Sequence, residues 1–155
     1  MEPFDYFEEL GGRRYLFLEQ LAEPKRNALR IQESEGTVSE VSAPLQIGGK
    51  SFGEAFPVEI NPNCAKYELT WNSYVLYQVL NEVYPRPLGR GNYQAFGARY
   101  EKSGLLDFVL SGGRISAGSN ARRLHFEIVC ANHVIDVISS DRPRCRKMSQ
   151  SARIC

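Results

Sequence analysis

Apolar and aromatic side chains are densest in residues 67–84, which hold the only tryptophan and four of the eight tyrosines. A two-residue turn at Asn72 and Ser73 would place Trp71 opposite Tyr74. The period-two alternation of strands would then build one apolar face. We therefore predict a β-hairpin here. Its second strand is apolar on both faces, so we expect that strand to lie inside a sheet covered on both sides.

A helix that begins at Ser73 competes with the second strand of this hairpin. Val75, Val79 and Val83 are spaced four residues apart, as on one side of a helix. The strand is favoured because valine and tyrosine lose side-chain freedom in a helix and fit a pleated surface. The helix stays the alternative for residues 74–83.

A second alternating stretch, residues 124–139, predicts another hairpin. A turn at residues 131–132 places Glu127 directly across from Asp136, with His125 on the same face. Two carboxylates in that position repel, so they require a nearby cation such as an arginine, a shared proton or exposure to water. The three side chains are candidate catalytic residues for acid-base chemistry. The alternative is an ordinary polar sheet face.

Turn residues divide the rest of the chain into short elements. They predict strands at 15–22, 28–35, 56–60 and 96–101, a turn at Gly48 and Gly49, and helices at 2–10 and 103–110. We predict an α+β, mainly-β fold, an antiparallel curved sheet or β-sandwich with one or two short helices. Residues 1–140 form a single globular β-rich domain in this prediction, and residues 141–155 form a basic C-terminal tail.

Composition favours a cytoplasmic protein that does not enter a membrane. No stretch approaches the run of about 20 apolar residues that a membrane helix needs, and the first ten residues carry four carboxylates. The four cysteines have no CxxC spacing, which suits reduced thiols. A set of Cys130, His133 and Cys145 with His125 lacks the spacing of zinc ligands. We expect no metal and no cofactor, and a buried, inert thiol at Cys130.

The irregular segment 85–92 is predicted to be a binding loop, because cations and aromatic side chains meet there. Its candidate binding residues are Tyr84, Arg86, Arg90, Asn92 and Tyr93. Arginine and tyrosine are frequent anchors of protein interfaces, and they also suit single-stranded nucleic acid. The net charge is only +1, so nucleic-acid binding through this loop and the basic tail is the minor alternative.

Two segments carry a resemblance to other proteins. Residues 67–82 read YELTWNSYVLYQVLNE, and residues 126–139 read FEIVCANHVIDVIS. In these segments the chain resembles small uncharacterised bacterial proteins. The resemblance implies a bacterial cytosolic protein and assigns no activity.

Two functions remain as expectations. The first is a non-catalytic binding or protein-interaction module, favoured because the sequence contains no complete catalytic motif. The alternative is a small enzyme or ligand-binding cup that uses His125, Glu127 and Asp136 with a nearby arginine.

Overall fold

A computed structural model of the chain describes residues 15–81, 97–112 and 122–148. In these ranges antiparallel strands dominate and one short helix is present, which confirms the predicted mainly-β α+β class. The strands are β1 (Leu16–Ala22), β2 (Leu29–Glu35), β3 (Thr37–Val38), β4 (Ala43–Ile47), β5 (Lys50–Ala55), β6 (Val58–Glu59), β7 (Lys66–Trp71), β8 (Leu76–Asn81), β9 (Gly97–Tyr100), β10 (Leu124–Val129), β11 (His133–Ser139) and β12 (Arg144–Met148). The helix, α1, spans Gly104–Ser111.

Two four-stranded sheets pack face to face around a shared core. The first sheet has the order β1-β2-β7-β12, and the second has the order β8-β11-β10-β9. Buried side chains of both sheets belong to one apolar cluster. Trp71 of the first sheet meets Phe126 of the second edge to face, with ring centroids 5.8 Å apart. The described strands therefore form a β-sandwich.

The predicted hairpin at 67–84 is wrong, although both of its strands exist. β7 lies between β2 and β12, while β8 pairs with β11 at the edge of the second sheet. The connection is bonded to the end of β11: the N–H of Val75 donates to the carbonyl of Ile138, and the hydroxyl of Ser139 donates to the carbonyl of Ser73. These bonds hold the connection between β7 and β8 against the end of β11, so the chain passes from the first sheet to the second. The choice of strand over helix is confirmed for Leu76–Asn81, whereas its predicted place inside a sheet is wrong.

The second predicted hairpin is confirmed. β10 and β11 are antiparallel neighbours in the expected register, with Glu127 opposite Asp136. Phe126 and Ile128 point into the core and are 1% and 0% exposed. His125 shares the opposite face with Glu127, because successive side chains alternate.

Other local predictions also agree with the structure. β1 and β2 are antiparallel, and Gly48 and Gly49 join β4 to β5 with φ values of 58° and 77°. Positive φ at both positions is what a tight hairpin turn requires, and glycine meets it without strain.

Part of the predicted basic tail, residues 141–155, is a strand. Arg144–Met148 pairs with β7 as β12.

Candidate functional site

A row of hydrogen-bonded polar side chains crosses the outer face of the second sheet, the face turned away from the first sheet. Nε2 of His125 lies 2.9 Å from Oδ1 of Asp136. The other carboxylate oxygen accepts a hydrogen bond of 2.7 Å from the side-chain amide of Gln78. His125 is 5% exposed and Asp136 is 0% exposed. The three residues come from β10, β11 and β8, so their hydrogen bonds tie neighbouring strands together.

Helix α1 adds a hydroxyl group to this row. Its N-cap, Ser103, has an extended backbone, and the Oγ atom accepts a hydrogen bond of 3.1 Å from the N–H of Leu106. The same Oγ lies 2.9 Å from Nδ1 of His125. Leu106 and Val109 pack against Ile138 of β11. This packing holds the start of the helix, and therefore the hydroxyl, against the imidazole.

The partners determine where the imidazole proton lies. A carboxylate accepts hydrogen bonds, so Nε2 of His125 carries the proton that is donated to Asp136. When the imidazole carries that one proton alone, Nδ1 is an acceptor and the hydroxyl of Ser103 donates to it. The hydrogen bonds run in one direction, from the N–H of Leu106 through the serine and the histidine to the carboxylate, and each polarises the next. We call Ser103, His125 and Asp136 the serine relay.

Glu127 and Tyr100 flank the serine relay. Oε1 of Glu127 accepts a long hydrogen bond of 3.4 Å from the hydroxyl of Tyr100. The Tyr100 ring lies 5.1 Å from the imidazole ring of His125, tilted by 36°. At Asp136, a histidine and a glutamine donate to the carboxylate.

The structure thus brings together two of the three candidate catalytic residues, His125 and Asp136, and places Glu127 beside them. Gln78 and Tyr100 were not among the predicted site residues, because no pattern in the sequence distinguishes them from other polar residues. Ser103 did carry a signal, since it was predicted to begin a helix. The predicted binding residues Tyr84, Arg86, Arg90, Asn92 and Tyr93 lie outside the described residues.

A second feature is the ribbon of β4 and β5, residues 43–55, which we call the arm. In the described ranges its two strands pair only with each other, and almost all of its residues are exposed. Seven of the twelve exposed large apolar side chains in those ranges lie between residues 38 and 60. They are Val38, Val41, Leu45, Ile47, Phe52, Phe56 and Ile60.

The register of the arm places three of these exposed apolar side chains on one face of the ribbon. Leu45 and Ile47 alternate with Gln46 and share one face of the ribbon. Gln46 pairs with Ser51 and Pro44 pairs with Glu54, so the register shifts between them and both Phe52 and Gly53 of β5 lie opposite Leu45. Phe52 and Ile47 are each 60% exposed. Clustered apolar exposure of this kind marks interaction sites more often than isolated exposed side chains do.

The buried thiol of Cys130 has a structural environment. It donates to Oε1 of Glu33 at 3.3 Å inside the sandwich. Burial, together with the negative charge of Glu33, raises the pKa of the Cys130 thiol, so the sulfur stays neutral. Within the part of the chain that the structure describes, no group of three or more His, Cys, Asp or Glu side chains is arranged to hold a metal ion.

Comparisons with known proteins found no relative of this chain. No protein-family model matches the chain, and neither the curated proteins nor the solved structures contain a significantly similar chain. Among the described residues, no helix has the length and apolar character needed to cross a membrane.

Proposed function

We propose that this protein is an interaction module that binds a protein partner through the arm. The observation that carries the proposal is the concentration of exposed apolar side chains on and beside a projecting two-stranded ribbon. A two-stranded ribbon is only marginally stable in water without a further strand or a covering surface. A partner that covers Leu45, Ile47 and Phe52 would remove this apolar surface from water.

The edges of the arm favour an extended partner segment that adds a strand. Residues that flank a two-residue turn bond to each other, so every second N–H along β4 points outward. By this alternation Pro44, which has no N–H, removes a donor from the outer edge of β4. β5 contains no proline and carries Phe52, and the register of the arm shifts once, between Pro44 and Gln46. We infer that the partner strand pairs with β5, with main-chain bonds supplying affinity and side chains supplying specificity.

The charge of the region indicates the chemistry of the partner. Residues 38–60 contain three glutamates, Glu40, Glu54 and Glu59, and one lysine, Lys50, which gives a formal charge of −2. Complementary charges steer association and discriminate between partners. The expected partner segment is therefore extended, alternates apolar side chains and carries lysine or arginine.

We also propose that the protein acts in a bacterial cytoplasm. Among the described residues, the buried cysteines Cys64 and Cys130 form no disulfide, which suits a reducing compartment. The resemblance of residues 67–82 and 126–139 to bacterial proteins supports the same assignment.

A displayed library of random peptides tests the binding proposal. Selection on the intact protein is expected to enrich extended peptides in which apolar residues alternate with lysine or arginine. Their affinity, measured by fluorescence anisotropy, should fall about tenfold or more in the double variant I47E/F52E, since each buried apolar side chain contributes roughly 1.5–3 kcal/mol.

Phe108→Glu is the matched control, because Phe108 is 71% exposed and lies on helix α1, away from the arm. It should leave peptide affinity unchanged. Equal enrichment on I47E/F52E and on the unaltered protein would contradict the proposal. Sedimentation of the unaltered protein and of I47E/F52E separates a further outcome: a dimer lost only in the double variant would show that a second copy covers the arm, which also contradicts it.

A further inference from the structure

The serine relay has the parts and the order of a nucleophilic site, and none of its residues belongs to the arm. Oγ of Ser103 lies 2.9 Å from Nδ1 of His125, and its hydroxyl donates to that nitrogen when the imidazole carries its proton on Nε2 alone. That imidazole is held by a carboxylate at 2.9 Å on its other nitrogen. A hydroxyl, a base and an orienting acid in hydrogen-bond contact are the requirements for serine activation. We propose that Ser103 is a nucleophile toward small carboxylic esters, with His125 as its general base.

The reaction balances with these groups alone. The Oγ–H proton of Ser103 passes to Nδ1 of His125 as Oγ forms a bond to the ester carbonyl carbon. The resulting tetrahedral oxyanion collapses, the bond to the leaving oxygen breaks, and that oxygen takes the proton from Nδ1. Water then attacks the acyl-serine, gives a proton to Nδ1 and releases the carboxylic acid, and the proton returns to Oγ. Asp136 stays ionised and stabilises the imidazolium.

The start of helix α1 supplies the groups that an oxyanion needs. The N–H of Leu106 bonds to Oγ of Ser103, and the N–H of Asp107 bonds to its carbonyl. Helix geometry leaves the N–H groups of the two preceding residues, Gly104 and Leu105, without an acceptor inside the helix. Both lie directly after the nucleophile, where backbone N–H groups stabilise oxyanions in acyl-transfer enzymes.

The site is also open to a substrate on the serine side. Ser103 is half-buried and Gly104 is exposed, in contrast to the buried His125 and Asp136. A Cβ placed on Gly104 would meet no atom of the described residues within 4 Å. An acyl group bonded to Oγ therefore has room beside Gly104, while the base and the orienting carboxylate are shielded from water.

The role of Asp136 is positioning, and the variant Asp136→Asn tests it. The asparagine oxygen can accept from Gln78, and its amide can donate to Nε2 of His125, so the hydrogen bonds and the fold survive. Nδ1 then carries the proton and no longer accepts one from Ser103. An asparagine in this place imposes the wrong imidazole tautomer on a serine triad and removes its activity.

A fluorophosphonate probe on the full chain tests the nucleophile, and tandem mass spectrometry locates the adduct. Ser111 is an internal control, because it lies in the same helix and is exposed. General-base assistance predicts that Ser103 reacts about 10²-fold faster than Ser111 or more. Unfolding in urea should bring the two rates together.

Two variants complete the test. Ser103→Asn retains an N-cap and should lose the adduct, while Asp136→Asn should stay folded and label Ser103 about 10²-fold more slowly. The proposal is overturned if the unaltered protein gives no adduct at Ser103. It is equally overturned if Ser103 and Ser111 react alike, or if Asp136→Asn stays folded and labels at the unaltered rate.

Discussion

Replacing Asp136 by alanine measures how firmly the polar row on the second sheet is held. The change removes the acceptor of donors that include Nε2–H of His125 and the side-chain amide of Gln78. Gln78 is exposed, so its amide can bond to water instead, and the loss of its hydrogen bond to Asp136 costs little stability. His125 is 5% exposed, and its stranded N–H keeps its full desolvation cost.

The expected magnitude follows from these two environments. A buried donor left without a partner costs about 1–3 kcal/mol, and hydrogen bonds to a charged acceptor lie at the upper end. Breaking a buried ion pair costs about 3–5 kcal/mol, but that figure includes an uncompensated charge, and an imidazole with a single proton leaves no such charge. We therefore expect Asp136→Ala to lower the free energy of unfolding by about 2–3 kcal/mol.

Urea unfolding followed by tryptophan fluorescence provides the assay, since Trp71 is the only tryptophan and is 0% exposed. Glu127→Ala is the matched control from the facing position of β10, where the bond to Tyr100 is 3.4 Å long. It should cost less than about 1 kcal/mol. Equal losses in the two variants, or a loss below about 0.5 kcal/mol for Asp136→Ala, would refute the reasoning.

Three further predictions concern other parts of the molecule. The Cys130 thiol should resist a maleimide at pH 9, near the ordinary thiol pKa of 9.0, until urea unfolds the protein. Because burial raises the pKa of this thiol, its contribution to the free energy of unfolding is present below pH 9 and is lost as the pH rises further. Urea unfolding at successive pH values measures that loss. A hydrogen bond to Glu23 raises the pKa of Tyr74 to about 12, so Glu23→Gln should return it toward the ordinary value of 10.0, seen by tyrosinate absorbance. Truncation after residue 143 removes β12 and exposes the edge of β7, and light scattering should detect aggregation that the full chain does not show.

Sequence patterns predicted local structure where a turn joins strands that also pair. The β10–β11 hairpin and the glycine turn of the arm follow from a few consecutive residues, so alternation and turn chemistry were sufficient. The same reasoning failed for β7 and β8. Their neighbours are distant in sequence, and the chain between them is held by Ser139 and Ile138 at the end of another strand. No residue near Asn72 carries that information.

The candidate site was also predictable only in part. Period two placed His125, Glu127 and Asp136 on one face, and the structure agrees. Burial decided which of them interact, because the histidine bonds to the carboxylate that helix α1 and β8 help to enclose. The serine came from a separate element whose docking on the sheet depends on tertiary packing. Its role as a helix cap was readable, while its contact with the imidazole was not.

The late position of β12 has a consequence for synthesis on the ribosome. β7 receives its second neighbour from residues 144–148, which follow it by about 70 residues. At about 5–20 residues per second, roughly 4–15 s separate the two strands during translation. Throughout that interval the nascent chain presents an unpaired strand edge, so chaperones have a defined target, and the synthesis of residues 144–148 decides when that edge is covered.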